Sequence, residues 1–149
     1  MNGIKAAVLA VIAAVILKLF VFDFITAYGH SMEPSINDGT ILIISRLRYG
    51  LRLPGQMKYL IRWDQPKAGE VLVFYTPEGD LAVKRVVTAV TSAADLINAV
   101  DAAGAADTAN VAVAETYFYA EGDNSLTSYD SRSYGPVPAD NIIGKVLGY

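Results

Sequence analysis

The sequence predicts a mostly β domain of about 120 residues carried on one N-terminal membrane helix. Three observations lead there. The first is an apolar run, "IKAAVLAVIAAVILKLFVFDFI", in which Lys5, Lys18 and Asp23 are the only charges. The second is a series of short β-branched segments separated by Gly, Pro, Asn and Asp. The third is length: 149 residues suffice for one core and one domain. Residues 1–25 are read as tail and transmembrane anchor, and 26–149 as the folded domain.

The anchor comes first. Ile4 to Ile25 as a continuous helix reaches roughly 33 Å, about the thickness of a bilayer's hydrocarbon core. No amphipathic stripe breaks the run, which argues against a helix buried in a soluble core. A cleavable signal peptide is the competing reading, because Ala6 to Leu17 is only as long as a signal h-region. Downstream, "DFITAYGH" lacks the small-x-small pattern expected of such cleavage.

Beyond the anchor, "NDG" followed by "TILIISRL" (40–47) reads as a turn feeding a strand. Arg46 to Gly69 interleaves six basic residues with Tyr49, Tyr59 and Trp63. It is read as a solvated basic loop, with a surface lying on anionic headgroups as the functional alternative. "GEVLVFYTPEGDLAVKRVVTAV" (69–90) is a β-hairpin turning at "TPEGD". Residues 92–115 are Ala-rich and are read as a short helix near 93–103, a turn and a strand. "TYFYAEGDN" and "IIGKVLGY" supply the last two strands.

Composition excludes several chemistries. The absence of cysteine removes thiol catalysis and cysteine metal sites. A single histidine argues against a zinc hydrolase, and no cofactor is called for. A net charge of −3 gives no case for nucleic-acid binding. Seven acids and no base lie between Asp95 and Asp130.

"GHSMEP" (29–34), just past the anchor, raises the question of a serine nucleophile. His30 is adjacent to Ser31, so in extended chain the two side chains point to opposite faces. That is a poor placement for a general base, which must sit about 3 Å from the proton it takes. A Ser-Lys pair is the remaining arrangement. Lys84, in "DLAVKRVV", shares a strand face with Ala82 and Val86 while Arg85 faces the other way. An amine on an apolar face is the environment that lowers a lysine's pKa and makes it a base; a lysine snorkelling from a strand edge is the plain alternative. The sequence has no Ser-x-x-Lys, so a β-lactamase-like site finds no support. In "EGDNSLTSYDSRSYGPVP" (121–138), Asp130 with Arg132 is suited to locking a loop, and Ser128 to bonding a neutral lysine.

Together, "GHSMEPSINDGTILI", "GEVLVFYTPEGDLAVKRVV" and "GDNSLTSYDSRSYGPVP" resemble, in order and spacing, the boxes of type I signal peptidases. These are membrane-anchored serine endopeptidases that remove signal peptides from exported preproteins. The resemblance covers about 120 residues and implies a coiled antiparallel β-sheet of the signal peptidase/LexA-like kind. It also implies cleavage after small residues of Ala-x-Ala type. Ser31 corresponds to the nucleophile and Lys84 to the general base. Ser128 corresponds to the serine that orients the lysine, Asp130 and Arg132 to a structural ion pair, and Met32, Ile36 and Val83 to substrate-pocket positions.

The implied partners are preprotein signal peptides, the lipid bilayer and translocation machinery. The family topology places the domain on the extracytoplasmic side of the plasma membrane, where basic-residue counting leaves orientation ambiguous. Three positions depart from the pattern. Gly29 replaces a Ser or Thr that supplies a second oxyanion donor, Ser125 replaces an arginine, and "VVTAVTSAAD" lacks a Gly-x-Pro-Gly-Asp turn. The last departure suggests a minimal enzyme without a large inserted β domain. The alternatives are a self-cleaving Ser-Lys regulator of LexA type, a catalytically silent assembly factor, and a specialised processing enzyme or peptide cyclase.

Overall fold

A computed structural model describes residues 3–53, 55–56, 58–90 and 116–149. An N-terminal helix α1 (Gly3–Ile16) passes into a π-helical turn (Leu17–Val21) and then a strand, β1 (Phe22–Thr26). Further strands are β2 (Ile41–Ser45), β3 (Gly50–Arg52), β4 (Tyr59–Arg62), β5 (Val71–Tyr75), β6 (Leu81–Val90), β7 (Tyr117–Glu121), β8 (Val137–Pro138) and β9 (Ile142–Gly148). A four-residue helix α2 (Ser131–Tyr134) lies between β7 and β8. Seven strands form one curled antiparallel sheet in the order β1-β2-β9-β5-β6-β7-β8, and β3 pairs with β4 in a separate two-stranded ribbon.

The curl lets both faces of the sheet bury side chains. Along β5, Leu72 and Phe74 face one cluster with Tyr49, Phe118 and Ile142. Val71 and Val73 face a second cluster with Met32, Ile36, Leu42 and Ile44. A strand buried on both faces reads as an uninterrupted apolar run, which is why "VLVF" lacks the usual alternation. Phe74 and Phe118 meet edge to face at 5.0 Å in the first cluster.

The sequence-predicted anchor is corrected at its C-terminal end. Helix stops at Val21, and Phe22–Thr26 pairs antiparallel with β2, from Phe22↔Ser45 to Thr26↔Ile41. The alternation of Phe22 and Phe24 with Asp23 fits a strand, and an Asp23–Arg46 ion pair and the Arg46 N–H donating to Val21 O (2.9 Å) lock it to β2. Among the described residues no helix is long and apolar enough to cross a membrane. Fourteen α-helical residues reach only ~21 Å. None of the α1 residues is buried: the apolar helix projects from the domain.

The hairpin at 69–90 forms as predicted. Its turn is closed by Thr76 N–H to Asp80 O (2.8 Å) and Gly79 N–H to Thr76 O (3.0 Å), with Gly79 at a positive φ of 96° that suits glycine. The basic stretch read as a loop contains the β3–β4 ribbon. The helix, turn and strand read within 92–115 lie outside the described residues.

Candidate active site

Ser31 sits in the loop between β1 and β2, whose neck is tied by Ala27 N–H to Thr40 O (2.8 Å) and Gly39 N–H to Ala27 O (2.9 Å). Asp38 Oδ1 accepts from the Gly29 N–H (2.7 Å), and Gly29 takes a φ of +88° that a side chain there would strain. The same register that pairs β1 with β2 therefore delivers the serine to the sheet's edge. Asn124 N–H holds the Ser31 carbonyl (3.0 Å). The Thr127 hydroxyl donates to His30 O (3.3 Å).

Lys84 approaches from β6. Its Nζ lies 2.7 Å from Ser31 Oγ, a contact spanning 53 residues of sequence. Lys84 is buried, alternating with Val86 on the inner face as the strand pattern predicts. Burial lowers its pKa; Asp130 opposes that shift and Arg132 reinforces it. A hydrogen bond of this length to a hydroxyl needs no ammonium: a neutral amine accepts the Ser31 proton in the same geometry.

Behind the pair lies Asp130, fully buried. Its carboxylate accepts from Gly122 N–H (2.9 Å), the Ser128 hydroxyl (2.6 Å) and Arg132, from both the backbone N–H (3.2 Å) and the guanidinium (2.9 and 2.5 Å). Against the penalty of burial, these donors hold the carboxyl far below the ordinary carboxylate range. Asp130 also caps α2. The Ser128 proton thus goes to Asp130, and Ser128 makes no direct hydrogen bond to Lys84 among the described residues.

His30 is exposed and its Nδ1 lies 2.8 Å from Glu33 Oε1, which raises its pKa. It pairs with Glu33 and not with Ser31, as its sequence position suggests. Arg85, on the strand face opposite Lys84, grips Asp123 through two bonds of 2.8 and 2.7 Å.

A cleft of about 430 Å³ opens beside the serine, lined by Met32, Ile36 and Val83 as well as Ser31 and Lys84. Met32 and Ile36 belong to the core, so the cleft floor is rigid and apolar. Its two walls are strand edges. Among the described residues β1 is the terminal strand of the sheet, and Leu81–Lys84 of β6 pair only with β5, because β7 joins at Arg85.

Two positioning residues were not singled out in the sequence. Gly122 has no room for a side chain: a Cβ there meets Ser128 Oγ at 2.2 Å and Ser31 O at 2.5 Å. Asn124 acts through its backbone, which no side-chain pattern advertises. The signal was the "GDN" string itself, where a glycine at a strand end marks close approach of another backbone.

A serine hydroxyl against a buried amine, beside a strand-edged cleft on a curled antiparallel sheet, defines a class of site. Comparison with known proteins identifies the family. The model for "Signal peptidase, peptidase S26" matches residues 1–91 and 90–148, and the chain belongs to that family. It is 26% identical to a signal peptidase I of Leptolyngbya laminosa over 99% of this chain and 77% of the relative. A signal peptidase I of Bacillus caldolyticus is 27% identical over 92% and 84%. A mitochondrial ATP-independent inner membrane protease subunit 1b of Arabidopsis thaliana is 28% identical over 81% of this chain, which spans 65% of that relative's length.

Proposed function

We propose that the protein is a membrane-bound serine endopeptidase that removes N-terminal signal peptides from exported preproteins, cutting after small residues of Ala-x-Ala type. The observation that carries this reading is the 2.7 Å contact between Ser31 Oγ and the buried Lys84 Nζ.

In this mechanism the substrate enters as an extended strand between the free edges of β1 and β6, its backbone completing both ladders. Met32, Ile36 and Val83 line the apolar part of the cleft and are the residues that would select small side chains. Neutral Lys84 takes the Ser31 proton as Oγ attacks the scissile carbonyl, then returns it to the leaving amine. The Ser31 N–H has no hydrogen-bond partner among the described residues and is the oxyanion donor. Water then hydrolyses the acyl-enzyme, with Lys84 again as base. Ser128, Asp130 and Arg132 form the support behind the amine: Ser128 is held by Asp130, and its role toward Lys84 is to fill that side of the pocket and keep the amine aligned with Ser31. No cofactor enters the reaction.

The exposed apolar helix α1 supports membrane attachment; the extracytoplasmic placement of the domain rests on the resemblance to the family alone. Anchoring enzyme and preprotein in one bilayer raises their effective concentration. Translocation machinery is the natural neighbour on that surface.

The test is incubation of the full chain in detergent with a preprotein bearing one Ala-x-Ala site, followed by mass determination of the new N-terminus. A single cut after the final alanine, lost when both alanines become leucine, supports the reading. A cut elsewhere, or one indifferent to leucine, rejects it.

A further inference from the structure

The β3–β4 ribbon has two unlike sides. Its inner side is fixed: Tyr59 stacks between the guanidinium groups of Arg52 and Arg62, 5.0 and 5.1 Å from the ring centre. The Tyr59 hydroxyl donates to Ile142 O (3.1 Å), and Arg62 pairs with Asp140. The outer side displays Leu60, Ile61 and Trp63, which are 54%, 61% and 55% exposed. Exposed Lys58 and Lys67 flank them and form no ion pair among the described residues, whereas Arg48 and Arg62 are paired internally. Folding of the domain does not account for a rigid ribbon holding three large apolar side chains in water between free cations.

Its position suggests an occupant. Arg46 is bonded to Val21, the last residue of the π-helical turn that follows α1, and β3 starts four residues later at Gly50. An extended chain of that length reaches at most ~14 Å, so the ribbon lies beside the point where the apolar helix leaves the domain. Tryptophan with lysine and large aliphatic side chains is the composition that partitions to a membrane–water interface.

We propose that the β3–β4 ribbon is a second membrane contact. It seats Trp63, Leu60 and Ile61 in the interfacial layer of an anionic bilayer while Lys58 and Lys67 bind its headgroups. The inference rests on the reading of α1 as a membrane anchor. With the helix at one point and the ribbon at another, the domain is held at a fixed tilt, and the cleft stays at a constant height above the lipid.

Trp63 is the only tryptophan, so its emission reports this contact alone. The full chain is reconstituted into vesicles of phosphatidylcholine, or of equimolar phosphatidylcholine and phosphatidylglycerol, and floated to score attachment. In the anionic vesicles Trp63 emission shifts to the blue and is quenched by lipids brominated near the headgroup. Each basic residue near an anionic surface is worth about fivefold in partitioning, so Lys58→Glu with Lys67→Glu lowers the seated-to-free ratio by at least roughly 25-fold while flotation persists. Water-like, unquenched emission in vesicles that carry the protein overturns the ribbon contact, and a protein surface then becomes its partner. Failure to float overturns the anchor reading itself, and with it this inference.

Discussion

Gly122→Ala puts the positioning of the nucleophile under direct strain. The added methyl sits 2.5 Å from Ser31 O and 2.2 Å from Ser128 Oγ. Ordinary contact of a Cβ begins near 3.4 Å, so relief requires the Ser31 backbone to retreat by about 1 Å. The Ser128 side chain has little freedom to yield, because its hydroxyl is held by Asp130 at 2.6 Å. Retreat also stretches the bond from Asn124 N–H to Ser31 O. Displacement of a reacting atom by about 1 Å costs roughly 100-fold in rate, and overpacking of this kind costs about 1–3 kcal/mol in stability. The substitution is therefore expected to reduce kcat/KM on an Ala-x-Ala preprotein by about two orders of magnitude while the domain still unfolds cooperatively in urea. Ser128→Gly added to Gly122→Ala removes one clash but not the one with Ser31 O, so it recovers stability more than activity. A fully active Gly122→Ala enzyme of native stability would refute the placement of Ser31 against Gly122.

Three further predictions follow from the electrostatics. kcat/KM rises with pH through one ionisation below the ordinary lysine value, because burial disfavours the Lys84 ammonium and protonation removes the base; a rate flat from alkaline to well below neutral pH contradicts a lysine base. Asp130→Asn removes a buried carboxylate from its donors and is expected to cost about 3–5 kcal/mol at neutral pH. Since the Asp130 pKa is depressed on folding, that contribution is full above about pH 4 and fades as acid protonates the folded carboxyl; urea titrations at several pH values, showing a gap between wild type and variant that does not narrow in acid, would speak against it. Tyr49→Phe deletes a hydroxyl that donates to Glu70 at 2.5 Å from a fully buried ring. It should lower stability by about 1.5–3 kcal/mol and leave cleavage untouched, and a loss of activity without loss of stability would contradict its purely structural role.

The Lys84 side of the site was legible from simple strand alternation, whereas the loop residues Ser31, Ser128 and Asp130 were readable only through the resemblance of their motifs. Lys84 lies between Ala82 and Val86 on a period-two pattern, and an amine on such an apolar face announces itself. The turn at "TPEGD" and the apolar run of β5 likewise follow from local chemistry. β1 was not legible. Phe22 to Thr26 continues an apolar helix in sequence, and only its partners in β2, with Arg46 reaching back to Asp23 and Val21, convert it to a strand. The β3–β4 ribbon was hidden for a similar reason: it is short, basic and held by contacts to Asp140 and Ile142 about 80 residues away. Ser128 illustrates a subtler gap. Its place in the motif was readable, but whether its proton goes to Lys84 or Asp130 depends on geometry that composition does not encode.

The central claim is that Ser31 attacks and Lys84 takes its proton. It is tested most directly by comparing cleavage of an Ala-x-Ala preprotein by wild type, Ser31→Ala and Lys84→Ala in the same detergent, with urea unfolding run alongside. The account predicts that wild type cuts after the final alanine and that both variants are folded and inert. Cleavage at the wild-type rate by either folded variant would contradict it.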